Sequence, residues 1–166
     1  MENLKKSLKA FLENASSIVV LGVGSELRAD DAAGMMVAQN LEKVSDKINK
    51  KVKFKVLLGH TAPENFTGEI KRTQPSHLLI IDTADIGGKP GDVKMLSTDE
   101  IAGISFSTHK LPLKVMVKFL LQEIKCDIKI IGIQPKTLEF GGSVSSEVKQ
   151  AVKSITDSIK NSIIHL

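Results

Sequence analysis

Residues 17–34, SIVVLGVGSELRADDAAG, decide the fold, because a short apolar run breaks into a glycine turn and then into paired aspartates that open a new periodic segment. Ile18, Val19, Val20 and Leu21 form the near-continuous aliphatic run of a strand buried on both faces, the habit of parallel sheets in α/β proteins. Gly22 and Gly24 let the chain turn at the strand's carboxyl end. Beyond Asp30, the residues Ala33, Met36, Val37 and Leu41 recur at helical spacing, so Asp30 or Asp31 falls at a helix start, where a carboxylate suits free N–H groups and the macrodipole.

A strand–turn–helix of this kind invites a dinucleotide reading, but the fingerprint G-x-G-x-x-G places Leu27 at its third glycine, and Asp30 and Asp31 repel phosphates. Capping by both aspartates is the plainer account. One cap is enough, which leaves a second carboxylate at the solvent-reached sheet edge where α/β proteins place their sites, and favours a cation over an anion there.

Working outward, 166 residues suffice for one domain that buries about two-thirds of its unfolded surface. The expected organisation is a single domain over residues 1–166, with an amphipathic helix in 1–15 packed on it. Hydrophobic residues make up 42% and charged residues 25%, an ordinary globular balance. The net charge of +4 is spread over several segments, and aromatic residues are 4% with no Trp or Tyr, so a base-stacking surface is not expected and nucleic acid is not a partner. No apolar stretch approaches the ~20 residues of a membrane span, and Lys5, Lys6 and Lys9 interrupt any signal-peptide core, so a cytoplasmic protein without a membrane partner is expected. The single cysteine, Cys126, excludes an intrachain disulfide and a cysteine zinc cage, and reads as a packing residue.

The remaining chain alternates helix and strand. Leu4, Leu8, Phe11 and Leu12 give a helix over 2–14; a helix over 30–44 follows the first strand; 52–58 alternates apolar residues with lysine as a half-exposed strand. Pro63 opens a short helical segment, and 77–85, HLLIIDTAD, is a second buried strand ending in Asp82 and Asp85. After a Gly-Pro turn come a weaker strand over 93–96, an irregular stretch over 102–110, a helix over 111–124, a buried strand over 128–133, and a serine-capped helix over 145–164. This order predicts an α/β domain of three layers: a twisted, mainly parallel five-stranded sheet with helices on both faces and the 93–96 strand antiparallel at an edge.

In such a sheet the first and third strands are commonly neighbours, which brings Asp31 and Asp82 to one edge. His109 precedes a helix on a loop able to fold over that edge. Two carboxylates and an imidazole suit a borderline divalent ion such as Zn²⁺ or Ni²⁺ with positions left open. Each also has a plainer reading: Asp31 as a cap, Asp82 as a turn former, His109 as a surface residue. A carboxylate that ends four apolar strand residues nevertheless needs a partner if it is buried. His60 reads as structural, and His77 and His165 as incidental. The chain has no H-E-x-x-H and no G-x-S-x-G.

Five segments in this order, GVGSELRADDAAG (22–34), GHTAPEN (59–65), HLLIIDTAD (77–85), THKLPL (108–113) and IIGIQPKTLEF (130–140), resemble the hydrogenase maturation endopeptidases that process nickel-iron hydrogenase large subunits, most closely the hydrogenase 3, formate hydrogenlyase type, branch. The resemblance implies a twisted five-stranded α/β fold and a peptidase that removes a C-terminal extension from the large-subunit precursor after nickel insertion. Asp31, Asp82 and His109 match the family's metal-contacting positions, and Asp31 and Asp82 are the implied catalytic carboxylates. Nickel is then the implied metal, carried by the precursor, with no tightly held metal in the enzyme. Ser25 stands where the family usually has Asn, and Ala32 where it has Gly; Ser still turns and hydrogen-bonds locally, and Ala fits a residue that is already helical. A non-catalytic reader of the nickel site is the alternative from another functional class.

Overall fold

The computed structural model describes residues 2–45, 51–106 and 113–166. In chain order these form α1 (Glu2–Leu12), β1 (Ser17–Val23), a 3-10 turn (Ala29–Ala32) leading into α2 (Ala33–Glu42), and β2 (Lys53–His60). A second 3-10 turn (Pro63–Phe66) leads into α3 (Thr67–Thr73), followed by β3 (His77–Asp85), β4 (Val93–Leu96), β5 (Ser105–Phe106), α4 (Leu113–Glu123), β6 (Asp127–Ile133) and α5 (Ser146–Ile164).

The sheet runs β2-β1-β3-β6-β4, with β5 attached to the far end of β3. The first four strands of that path are parallel, whereas β4 runs antiparallel to β6 and β5 antiparallel to β3. The expected antiparallel edge strand is therefore present, though it pairs with β6 and not with β3, from which the Gly-Pro turn departs. Two-residue β5 makes a sixth strand inside the stretch that reads as irregular. It is too short to carry a period-2 signal.

Both faces of β1 are covered, which accounts for its unbroken apolar run. Ile18 and Val20 join Leu8, Val37 and Ile155 under α1, α2 and α5, while Val19, Leu21 and Val23 join Ile70, Val117 and Leu120 under α3 and α4. Helix α2 lies directly against the strand backbones: a Cβ on Gly34 would stand 2.2 Å from the carbonyl oxygens of both Val23 and Ile81. Any larger residue there would lift the helix off the two strands whose ends frame the aspartates. Edge strand β2 exposes Lys53 and Lys55, with Lys55 Nζ 2.6 Å from Glu69 Oε1, and charged edges of this kind discourage pairing with another chain.

Neither member of the aspartate pair caps its helix by a side-chain hydrogen bond. Asp30, fully buried, reaches instead across the molecule to the segment 136–145. Its Oδ2 accepts from the backbone N–H of Lys136 (2.8 Å) and Thr137 (3.2 Å) and from Ser145 Oγ (3.0 Å), and its Oδ1 accepts from the Ser145 N–H (2.6 Å). Ser145 is in turn the N-cap of α5, accepting from the Val148 N–H, as the sequence predicts. The backbone around Asp30 is tied twice more: its N–H donates to the Thr137 carbonyl, and its carbonyl accepts from Thr83 Oγ1 at the end of β3.

At the opposite end of the sheet His77, which sequence reading treats as incidental, is buried at 6% exposure. Its Nδ1 lies 2.9 Å from Ser76 Oγ, its Nε2 lies 3.7 Å from Asp127 Oδ2, and the Phe11 ring meets it edge-on at 4.9 Å. Ser76 Oγ also accepts from the Ser16 and Ser17 N–H groups, so α1, β1, β3 and β6 converge on this point. Burial pushes the His77 pKa below its usual 6.5 against the opposing pull of Asp127.

Two outcomes follow for stability. Asp30→Ala strands three backbone donors, and at about 3 kcal/mol for hydrogen bonds to a charged group the loss corresponds to roughly 6–12 °C in Tm, measured by thermal denaturation. For His77, the unfolded chain takes up the proton first, so its contribution to stability is intact above about pH 6.5 and falls as pH drops through that value towards the lower folded-state pKa. Melting temperatures from pH 5 to 8 should therefore rise with pH in the parent protein, and rise less steeply in His77→Gln.

Candidate active site

The carboxyl ends of β2, β1, β3 and β6 form one rim. Register places Gly22 opposite Ile81, Val23 opposite His60, and Asp82 opposite Gly132. The turn after β1 is made by Gly24, whose φ of +134° and whose missing Cβ, which would stand 1.8 Å from the Asp31 carbonyl oxygen, let the 3-10 turn fold back on the strand end. Ala29 then adopts φ 44°, a left-handed conformation uncommon outside glycine, immediately before the paired aspartates. Within the 3-10 turn that follows, the successive residues Asp30 and Asp31 point in different directions and serve different partners.

Asp31 is 1% exposed. One oxygen, Oδ2, accepts from the Ser25 N–H at 3.0 Å, closing the loop that carries both residues. The other, Oδ1, is buried and makes no hydrogen bond. A buried carboxylate oxygen without a donor costs free energy in the resting fold, and such atoms concentrate where a ligand completes them. Asp82 is fully buried, and its Oδ1 accepts from the N–H of the next residue, Thr83, at 2.7 Å.

Both aspartates thus stand at the exits of adjacent parallel strands, as the topology argument requires, but neither is solvent-reached. Beside them the 136–145 segment is tied to the turn through Asp30. In a water-poor setting the attraction of a carboxylate for a cation is stronger than at an open surface. His109 lies outside the described residues. Among the described residues no group of three or more His, Cys, Asp or Glu side chains is arranged to hold a metal.

Other side chains at the rim clarify the reading. Ser25 Oγ accepts from the Leu27 N–H, and Ala32 has helical φ −69°, ψ −10°, so both positions keep the local geometry expected of them. His60, with φ 48°, accepts from the Gly24 N–H through its carbonyl and keeps its exposed ring 3.9 Å from Glu26, a structural role. Glu64, in the 3-10 turn after β2, has a buried Oε2 without a hydrogen bond, a feature not singled out in the sequence although GHTAPEN contains it. Cys126 lies at the other end of the sheet against the α3/α4 core, and burial pushes its thiol up to about 12, which fits packing and not nucleophilic attack.

With this geometry in hand, comparison with known proteins is specific. A family model described as HycI, hydrogenase maturation protease, matches residues 35–162. The hydrogenase 3 maturation protease of Escherichia coli is 31% identical over 138 residues, covering 82% of this chain and 85% of its own, and a protein of Methanocaldococcus jannaschii is 37% identical over 167 residues, covering 98% and 95%. The crystal structure of the [NiFe] hydrogenase maturation protease HycI from Thermococcus kodakarensis superimposes with a TM-score of 0.84 at 26% identity, covering 96% of this chain and 99% of that one. No helix of the described residues is long and apolar enough to cross a membrane. The family model over residues 35–162 and relatives more than 30% identical across most of the chain place this chain in the hydrogenase maturation protease family.

Proposed function

We propose that this protein removes the C-terminal extension from the nickel-loaded large-subunit precursor of a nickel-iron hydrogenase, reading the substrate's nickel with Asp31, Asp82 and His109. The observation that carries the reading is the buried Asp31 Oδ1 without a hydrogen bond, on the strand exit beside that of buried Asp82. An oxygen so placed matches a cation that arrives with the substrate. Carboxylates accept hard and borderline divalent ions, and an imidazole added to them suits nickel.

In this scheme Asp31 and Asp82 complete the coordination of the precursor's nickel and bring the scissile peptide to the rim. The ion supplies charge that polarises the carbonyl or acidifies a water, and one of the carboxylates takes the proton. A precursor without nickel leaves the buried Asp31 Oδ1 uncompensated, which disfavours its binding more than a packing mismatch would.

The test is intact-mass analysis of a nickel-loaded precursor after incubation with parent, Asp31→Asn or Asp82→Asn protein. Asparagine keeps the acceptor used by the Ser25 or Thr83 N–H while removing the charge, so both variants should stay folded and process at least about a hundredfold more slowly. Cleavage at the parent rate by both would overturn the site assignment. A parent protein that binds the precursor without cutting it would favour a nickel-site reader instead.

A further inference from the structure

Leu27 and Phe140 are exposed by 63% and 79%, the highest values among the large hydrophobic side chains described, and they sit together. The Gly141 N–H donates to the Leu27 carbonyl at 2.8 Å, and Arg28 Nε donates to the Leu138 carbonyl, so the two segments form one lip. That lip adjoins the candidate site, since Leu27 is separated from Asp31 by only three residues. Its backbone is fixed by Asp30, which holds the N–H groups of Lys136, Thr137 and Ser145. Neither Leu27 nor Phe140 packs on either core cluster.

Scattered exposed apolar residues are ordinary. Here two are brought together by backbone pairing, on segments braced from beneath by a buried carboxylate, so the fold holds its shape without using either side chain. We propose that Leu27 and Phe140 form an apolar clamp that seats a nonpolar side chain of the polypeptide substrate next to the bond cut at Asp31 and Asp82, an inference that rests on the proteolytic reading above.

The surroundings favour a polypeptide over other occupants. The lip carries both signs of charge, exposed Glu26 and Glu139 together with Arg28 and exposed Lys136, whereas an anionic membrane surface is met by a predominantly basic face beside the apolar groups. Two side chains also offer far less than the ~800 Å² per partner of a standard interface between two copies of a chain. A single extended substrate residue needs no more than such a clamp.

The test compares parent, Leu27→Ala, Phe140→Ala and the double variant with the nickel-loaded precursor, reading KM and kcat from cleavage and Kd from fluorescence anisotropy. Because both residues are exposed, melting temperatures should stay at the parent value. Each truncation should raise KM and Kd about tenfold, the worth of burying one large apolar side chain, with kcat unchanged. Leu27→Met and Phe140→Leu should restore most of the affinity. Parent-like KM in the double variant would overturn the clamp while leaving the protease reading intact, as would a loss confined to kcat. Loss of self-association in ultracentrifugation, or of vesicle binding in a flotation assay, without a change in KM would assign the lip to another occupant. A parent that does not cut but binds the precursor with the same dependence on Leu27 and Phe140 would refute the protease reading and keep the clamp.

Discussion

The buried carboxylate of Asp30 is the contact on which the working end of this molecule depends. It gathers donors from Lys136, Thr137 and Ser145, more than one hundred residues away in the chain, into a dry location beside the end of β3. Through Ser145 it is coupled to the cap of α5, and through its own carbonyl to Thr83. One residue thereby fixes the turn after β1, the loop after β6 and the start of the last helix relative to one another. The sheet provides the platform, but this hydrogen-bond set decides what stands at its rim.

From that arrangement the contrast between neighbours follows. Asp30 has its charge compensated by backbone donors, whereas Asp31, one residue on in the same 3-10 turn and so pointing elsewhere, has one oxygen satisfied by Ser25 and one left without a donor. The protein has thus built two environments for chemically identical side chains from consecutive positions. Burial sharpens the difference, because an uncompensated carboxylate in a low-dielectric site discriminates strongly between a cation and its absence.

Much of this was legible in the sequence. The unbroken aliphatic run at Ile18–Leu21 announced a strand covered on both faces, the adjacency of the first and third strands followed from a doubly wound α/β order, and the strand-end positions of Asp31 and Asp82 followed from that adjacency. What sequence reasoning missed is long-range or atomic. Nothing near Asp30 signals that its partners lie at 136–145, since local pattern carries no information on contacts of that separation. The burial of Asp31 and Asp82 was missed as well, since it depends on tertiary packing that local pattern does not report. His77 looked incidental because its anchor, Ser76, takes its meaning from the N–H groups of Ser16 and Ser17 at the head of β1. The two-residue β5 is below the length at which alternation can be recognised.

The proposed function holds that a cation met by Asp31 and Asp82 arrives with the substrate and is not a resident of the enzyme. The most direct measurement treats the enzyme with a chelator, removes the chelator, and offers it nickel-free and nickel-loaded precursors in parallel, with cleavage read by intact-mass spectrometry. The account predicts that the nickel-loaded precursor is cut without any metal returned to the enzyme and that the nickel-free precursor remains whole. Cleavage of the nickel-free precursor, or a requirement to restore metal to the enzyme before the loaded one is cut, would contradict it.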